Sequence, residues 1–238
     1  MKKHIPNALT CGNLLCGCAG ITAVLLRNEL VLASYLIGLA AVLDFLDGFI
    51  ARLLKAYSPI GKDLDSLADM ITFGLLPGVI VFKLLSNYLF NDPSIDLGTA
   101  TLLPHVAFII PVFSALRLAK FNIDTRQTDS FIGVPTPANT LLIASIPLIL
   151  QQHREWSEWI TKPVTLITLS VVMSLLMVTE LPLFALKFKT FAFRPNAIRY
   201  FFLLLALVLL AVLQATAVPL IIVLYILLSV IARLRTAA

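Results

Sequence analysis

The sequence predicts an all-α integral membrane protein with about eight transmembrane helices. Of its 238 residues, 59% are hydrophobic and 13% charged, and the mean hydropathy is +0.96. The apolar residues gather in stretches that approach the ~20 residues needed to cross a bilayer core. No water reaches backbone groups there, so helices that satisfy their own N–H and C=O groups are the expected elements. Little chain is left for a soluble module. A single polytopic domain is expected over 1–238, with a core over about 1–180 and two further helices over about 199–233.

The first apolar stretch covers 8–26, and the second, 31–55, follows a polar break. The third, 64–86, begins beyond the short turn Tyr57-Ser58-Pro59-Ile60-Gly61, which makes it an antiparallel neighbour of the second. A fourth runs over 99–120, and the fifth and sixth over 137–152 and 162–179. The last two, 199–214 and 217–233, are separated only by the stretch from Gln214 to Pro219, a proline suited to a first helical turn, so a long hairpin is expected. Pro77, Pro104, Pro111 and Pro147 are predicted kinks, and Glu180, beside Pro182, marks a helix end.

Basic residues set the expected orientation. Of the 18 Lys and Arg residues, all but Arg27, Lys83, Arg154 and Lys162 fall on one set of alternate loops. That side is read as cytoplasmic, with both termini on it, in an inner or plasma membrane. The net charge of +5 then favours anionic headgroups and phosphate-bearing substrates over nucleic acid. Met1-Lys2-Lys3-His4 reads as a cytoplasmic anchor and not a signal peptide, because Asn7, Thr10 and Asn13 interrupt the apolar run behind it. Cys11, Cys16 and Cys18 are expected to be free packing residues: their count is odd, and Cys16 faces away from the other two. His105 and His153 stand alone and anchor no metal site.

Four carboxylates carry the chemistry. Asp44, Asp47, Gly48 and Ala51 recur at helical spacing on one face of the second stretch, and Asp65 and Asp69 share a face at the start of the third. At ~1.5 Å per residue, Asp47 lies ~12 Å below the cytoplasmic end of its helix and Asp69 ~8 Å into the next, so antiparallel packing puts the acids at about one level. Four such groups ~4 to 8 Å apart repel strongly in a low-dielectric setting unless cations are present. Oxygen-only ligands favour Mg²⁺ or Mn²⁺, and two ions would clamp a diphosphate. A cation or proton pathway and a structural ion-pair network are the competing readings, the latter having only Arg52 and Lys62 nearby.

The run Asp44-x2-Asp47-Gly48-x2-Ala51-Arg52-x8-Gly61-x3-Asp65-x3-Asp69 resembles the signature of the CDP-alcohol phosphatidyltransferase family. The resemblance implies a six-helix core, usually dimeric, in which a divalent-metal pair activates a CDP-linked lipid for attack by an alcohol, releasing CMP. It makes Asp44, Asp47, Asp65 and Asp69 metal ligands and Asp69 also the general base, with Gly48, Ala51, Arg52 and Gly61 at the CDP pocket. Pro6-Asn7-x2-Thr10 resembles the family's opening motif, so Asn7, Thr10 and Asn13 are expected near the diphosphate; helix capping by Asn7 or Thr10 is the plainer alternative.

Arg117-Leu118-Ala119-Lys120-Phe121-Asn122 and Gly133-Val134-Pro135-Thr136-Pro137-Ala138 resemble segments of the family's serine-transferring branch. An amino-acid acceptor needs a cation for its carboxylate and an acceptor for its ammonium. Arg117, Lys120 or Arg126 would supply the first and Asn122 or Asp124 the second. The expected reaction is phosphatidyl transfer from CDP-diacylglycerol to L-serine. Within the family, glycerol phosphate or inositol phosphate is the alternative acceptor; outside it, a cation or proton transporter is the alternative, although no second acidic pair appears in the later helices. Positive-inside bias alone is the plain reading of any one loop cation, and Pro135 and Pro137 also suit a helix start.

Overall fold

The structure, a computed structural model, describes residues 4–56, 58–123, 130–184 and 193–237. Each of the eight apolar stretches forms a helix. Helix α1 (His4–Arg27) and α2 (Leu30–Leu53) make an antiparallel hairpin. Ser58 caps α3 (Pro59–Asp69) by accepting a hydrogen bond from the Gly61 N–H at 3.1 Å, with Pro59 in the first turn. From α3 the chain passes without a break into a π-helical segment (Met70–Leu75) and then α4 (Leu76–Asn91).

The second half begins with α5 (Leu97–Leu102), a 3₁₀ segment (Leu103–Phe108) and α6 (Ile109–Ile123). Helix α7 (Thr136–Gln152) follows, then the short α8 (Ser157–Ile160), α9 (Pro163–Val178), α10 (Phe193–Leu213) and α11 (Ala217–Ala237). The segments Arg154–Ile160 and Pro163–Val178 meet at a 69° bend. Gln214 adopts φ 51 at the turn between α10 and α11, and the Phe202 and Tyr225 rings lie 5.6 Å apart across it. The last two helices are therefore folded as the expected hairpin.

By length and apolarity, five segments among the described residues qualify as membrane spans, or six when the bent pair is counted as one. Asn196–Ile231 is a single segment in that count, and α7, with 17 residues, falls short of the 18 required. The chain is an all-α integral membrane protein. Its one departure among the described residues is a two-stranded antiparallel ribbon of β1 (Ser130–Ile132) and β2 (Pro182–Phe184), with Phe131 opposite Leu183. Such short strands carry no periodicity to read.

The core centres on the segment from α3 to α4, where Phe73, Leu76, Ile80, Val81 and Leu85 are fully buried. Helix α6 runs antiparallel to it in a register that several contacts fix. Asn122 donates from Nδ2 to Ser66 Oγ at 2.9 Å, and Lys62 Nζ donates to the Asn122 carbonyl at 3.3 Å. Two turns deeper, a Cβ added at Gly74 would sit 3.2 Å from the Ser114 Cβ. The predicted kink at Pro111 lies in the first turn of α6, where its ring abuts Gly78, and Pro147 lies well inside α7.

The ends of the bundle differ. Arg154 lines one cavity with Asn28 and Glu29, so the sparsely charged loops gather at one end. There Trp159 is exposed, and Lys162 Nζ lies 4.7 Å from its ring centroid, an amphipathic pairing suited to a membrane interface. Lys55, Lys62 and Lys120 stand at the other end, beside the carboxylates.

The connection into α7 is clamped to the end of α9. The Gly133 N–H donates to Leu181 O at 2.9 Å and the Val134 N–H to Leu176 O at 3.0 Å. Gly133 has φ 75, and an added Cβ would clash with the Met177 carbonyl. Gly133→Ala is expected to destabilise the detergent-solubilised protein by ~2 kcal/mol or more, read as a lowered unfolding temperature.

Candidate active site

Three helices meet at the carboxylates. The Asp44, Asp47 and Asp65 side chains each offer an oxygen, and these oxygens lie within 4.8 Å of one another. Asp69, one turn further along α3, stands outside that trio but within hydrogen-bonding reach of Asp44, which also reaches Asp65. Helix α1 supplies the neutral polar groups. Thr10 Oγ1 donates to Asp47 Oδ2 at 2.5 Å, and Asn13 Nδ2 donates to Asp69 Oδ1 at 3.3 Å.

Asn7 and Thr10 lie inside the first two turns of α1, so neither is an N-cap. The helix begins at His4 among the described residues, earlier than the apolar stretch alone implies, because polar residues in its first turns are turned inward to the acids.

A cavity of about 330 Å³ opens beside the trio. Asn7, Thr10, Gly48, Ala51 and Gly61 line it, as do Asp47 and Asp65. Gly61 has to be small: a Cβ there would approach Ser58 Oγ to 2.9 Å and Asn7 Oδ1 to 3.1 Å. Arg52 is exposed, with its guanidinium turned back along α2 so that a Cβ at Gly48 would lie 3.5 Å from Nη1. The cation thus hangs at the rim without filling the cavity. Pro6, Ala56, Ser58 and Lys62 also line the wall. Lys62 was weighed in the sequence only as a charge partner, and its place in the wall depends on the α2–α3 turn.

Among the described residues, none of the four carboxylates is paired with a Lys or Arg. An ion-pair network is therefore not what holds them. Clustered anions without cationic partners and with all-oxygen donors suit a hard divalent cation, and Asp44, Asp47 and Asp65 are the residues that could share one.

The segments expected at the acceptor divide. Arg117 is buried, donates from Nη1 to Thr136 Oγ1 at 3.2 Å, and lies within electrostatic reach of Asp69. Asn122 is engaged with Ser66 and Lys62, which makes it a brace between α6 and α3. Lys120 is exposed on α6, and Asp124 and Arg126 lie outside the described residues.

The π-helical segment begins directly after Asp69 and is propped on both sides. Thr72 Oγ1 donates to Asn13 O at 3.0 Å, and Thr140 Oγ1 to Phe73 O at 2.5 Å. Widening the helix here displaces carbonyls from the i−4 ladder and turns the residues after it, a device frequent at functional sites. No pattern of residue types announces it.

Titrating Mn²⁺ into the solubilised protein is expected to raise its unfolding temperature, since a ligand at ~100 times its Kd adds ~2.7 kcal/mol. Asp44→Asn or Asp65→Asn should remove most of that rise; an equal rise in the variants would mean that the cation binds elsewhere.

A family model described as CDP-alcohol phosphatidyltransferase matches residues 3–168. The chain is 36% identical over 135 residues to a CDP-diacylglycerol–serine O-phosphatidyltransferase of Bacillus subtilis, covering 57% of this chain and 70% of that protein. A protein of the same name from Helicobacter pylori is 33% identical over 178 residues, 74% of this chain and 70% of its own length. Another from Mycobacterium leprae is 31% identical over 220 residues, 89% of this chain and 67% of its own. With its paired acidic helices and the cavity beside them, the chain belongs to the CDP-alcohol phosphatidyltransferase family.

Proposed function

We propose that the chain transfers the phosphatidyl group of CDP-diacylglycerol to the hydroxyl of L-serine, yielding phosphatidylserine and CMP. The observation that carries this reading is the carboxylate trio on the wall of a polar cavity, with one further carboxylate and a buried arginine just beyond it. The shared name of the relatives supports serine as the acceptor.

Asp44, Asp47 and Asp65 would hold divalent ions, Mg²⁺ or Mn²⁺ and two in number, with Asp69 close by. Bound there, such ions neutralise the diphosphate and the charge that builds on the leaving phosphate. Asn7, Thr10 and Gly61 accept the CDP end of the lipid, Gly48 and Ala51 leave room for it, and Arg52 meets phosphate at the rim. Asn13 holds Asp69 in place through the bond to its Oδ1. Asp69 takes the proton from the serine hydroxyl as that oxygen bonds to the phosphorus bearing diacylglycerol. The bond from that phosphorus to the bridging oxygen breaks, and CMP leaves with the electron pair. Arg117 binds the acceptor's carboxylate, assisted by Lys120, Asp124 and Arg126; Asn122 braces α6 to α3.

An anionic acceptor such as glycerol phosphate or inositol phosphate has less support, because one buried arginine serves one carboxylate. A transporter is not favoured: the described residues hold a single acidic cluster. The reading includes a homodimer in an inner or plasma membrane with the carboxylate end and both termini cytoplasmic, as the distribution of Lys and Arg supports.

In lipid nanodiscs with CDP-diacylglycerol and Mn²⁺, CMP release is expected to depend on L-serine and to vanish with chelator. Asp69→Asn should slow it by ~10² to 10⁴-fold, the usual contribution of a general base. Release driven by glycerol 3-phosphate instead of serine would overturn the acceptor, and full turnover by the Asp69 variant would overturn the base.

Orientation has its own test. In a cysteine-free background, Asp92→Cys in intact cells should react with an impermeant maleimide, and Lys55→Cys only after permeabilisation. The reverse pattern would invert the topology.

A further inference from the structure

Resting on the serine-transfer reading, we propose that Asn139, in the first turns of α7, is an acceptor-binding residue whose side-chain amide grips the zwitterionic head of the amino acid. Asn139 is fully buried, and neither its Nδ2 nor its Oδ1 has a hydrogen-bond partner among the described residues. Leaving such an amide unpaired is costly, so an orphan of this kind calls for an explanation.

Its place in the fold is set by its neighbours on α7. Thr136, three residues before, receives the Arg117 hydrogen bond, and Thr140, one residue after, donates to the Phe73 carbonyl. Asn139 therefore shares the first turns of α7 with the residue that meets the buried arginine and the one that meets the π-helical segment following Asp69. A second register agrees. At the far end of the bundle Leu30 and Gln151 line one cavity between the antiparallel α2 and α7. Moving fourteen residues along each helix from there reaches Asp44 on α2 and Pro137 on α7. Asp44 is thus level with the first turn and a half of α7, and α1 brings Asn13 to the same level through Asp69.

Two more orphaned atoms lie in this layer. Asn13 Oδ1 and Arg117 Nε are buried without hydrogen-bond partners among the described residues. Together the layer offers a cationic donor, an uncommitted amide acceptor, and in Asn139 one donor and one acceptor on the same side chain. An α-amino acid presents the matching set, a carboxylate that accepts and an ammonium that donates. A phosphate-bearing alcohol has no ammonium, so hydroxyls are the only donors it can offer the two amide oxygens. The layer lies beside Asp44 and Asp69, so an amino acid held by its head in it brings its side-chain hydroxyl close to Asp69.

The test measures KM for L-serine and for CDP-diacylglycerol separately, with full-length protein in nanodiscs and Mn²⁺. Asn139→Ala is expected to raise the serine KM by ~10-fold or more while the lipid KM changes by less than ~2-fold, since a site built to hydrogen-bond its substrate loses heavily when a partner is removed. Wild-type enzyme should discriminate strongly between L-serine and two analogues, ethanolamine without the carboxylate and 3-hydroxypropionate without the ammonium, and the variant should discriminate less. Asn139→Leu, of similar volume and without an orphan amide, keeps the test readable if the alanine variant fails to fold. It should retain or raise the unfolding temperature and show the same serine defect. An unchanged serine KM, or an equal rise in both KM values, overturns the proposal. Wild-type enzyme that turns over with no dependence on serine overturns the serine-transfer reading itself, so the two failures are distinct.

Discussion

Four carboxylates inside a membrane bundle, none paired with a Lys or Arg among the described residues, are the constraint that the rest of the molecule answers. Ionised acids of this kind are costly unless paired, hydrogen-bonded or bound to metal. Helix α1 meets the cost in part with Thr10 and Asn13, both neutral and both donating, which leaves the negative charge undiminished for a divalent ion. A lysine in either place would have neutralised the cluster and disarmed it. Keeping positive charge at the rim, on Arg52, and behind Asp69, on Arg117, leaves the centre to whatever cation the site recruits.

Precision at Asp69 comes from backbone as much as from side chains. The π-helical segment is tied on two sides: Thr140 on α7 donates to its Phe73 carbonyl, and its own Thr72 donates to the Asn13 carbonyl on α1. Two helices remote in sequence are thereby tied to the residue proposed as base. The brace from Lys62 and Asn122 to α3 ties in a third, α6. Packing of this density is what allows a membrane site to hold its geometry with few polar groups, since lipid supplies no hydrophobic drive between helices.

The convergence of Asp44, Asp47 and Asp65 was legible because helical spacing puts i, i+3 and i+4 on one face and a short turn leaves adjacent helices no choice but to pair. The eight apolar stretches were legible for the same reason, hydropathy being strong and local. What escaped the sequence is long-range. Asn139 looks like any polar residue near a helix start until Thr136 and Thr140 assign its neighbours, and Asn122 looks like a ligand until Ser66 claims it. The ribbon of Phe131 and Leu183 joins segments some fifty residues apart, too short to leave a pattern. Asn7 and Thr10 could be read as caps or as site residues, and only the start of α1 at His4 decides between them.

The clamp of Gly133 and Val134 onto Leu181 and Leu176 has a consequence for how such a protein can change over time. The two hydrogen bonds seat the entry into α7 on the end of α9. Helix α9, none of whose described residues lines the carboxylate cavity, thereby becomes a lever on the site: a shift of its Val178 end by a fraction of a turn would carry α7 along. Drift in substrate preference within such a scaffold would thus be seeded in a helix that never meets the substrate.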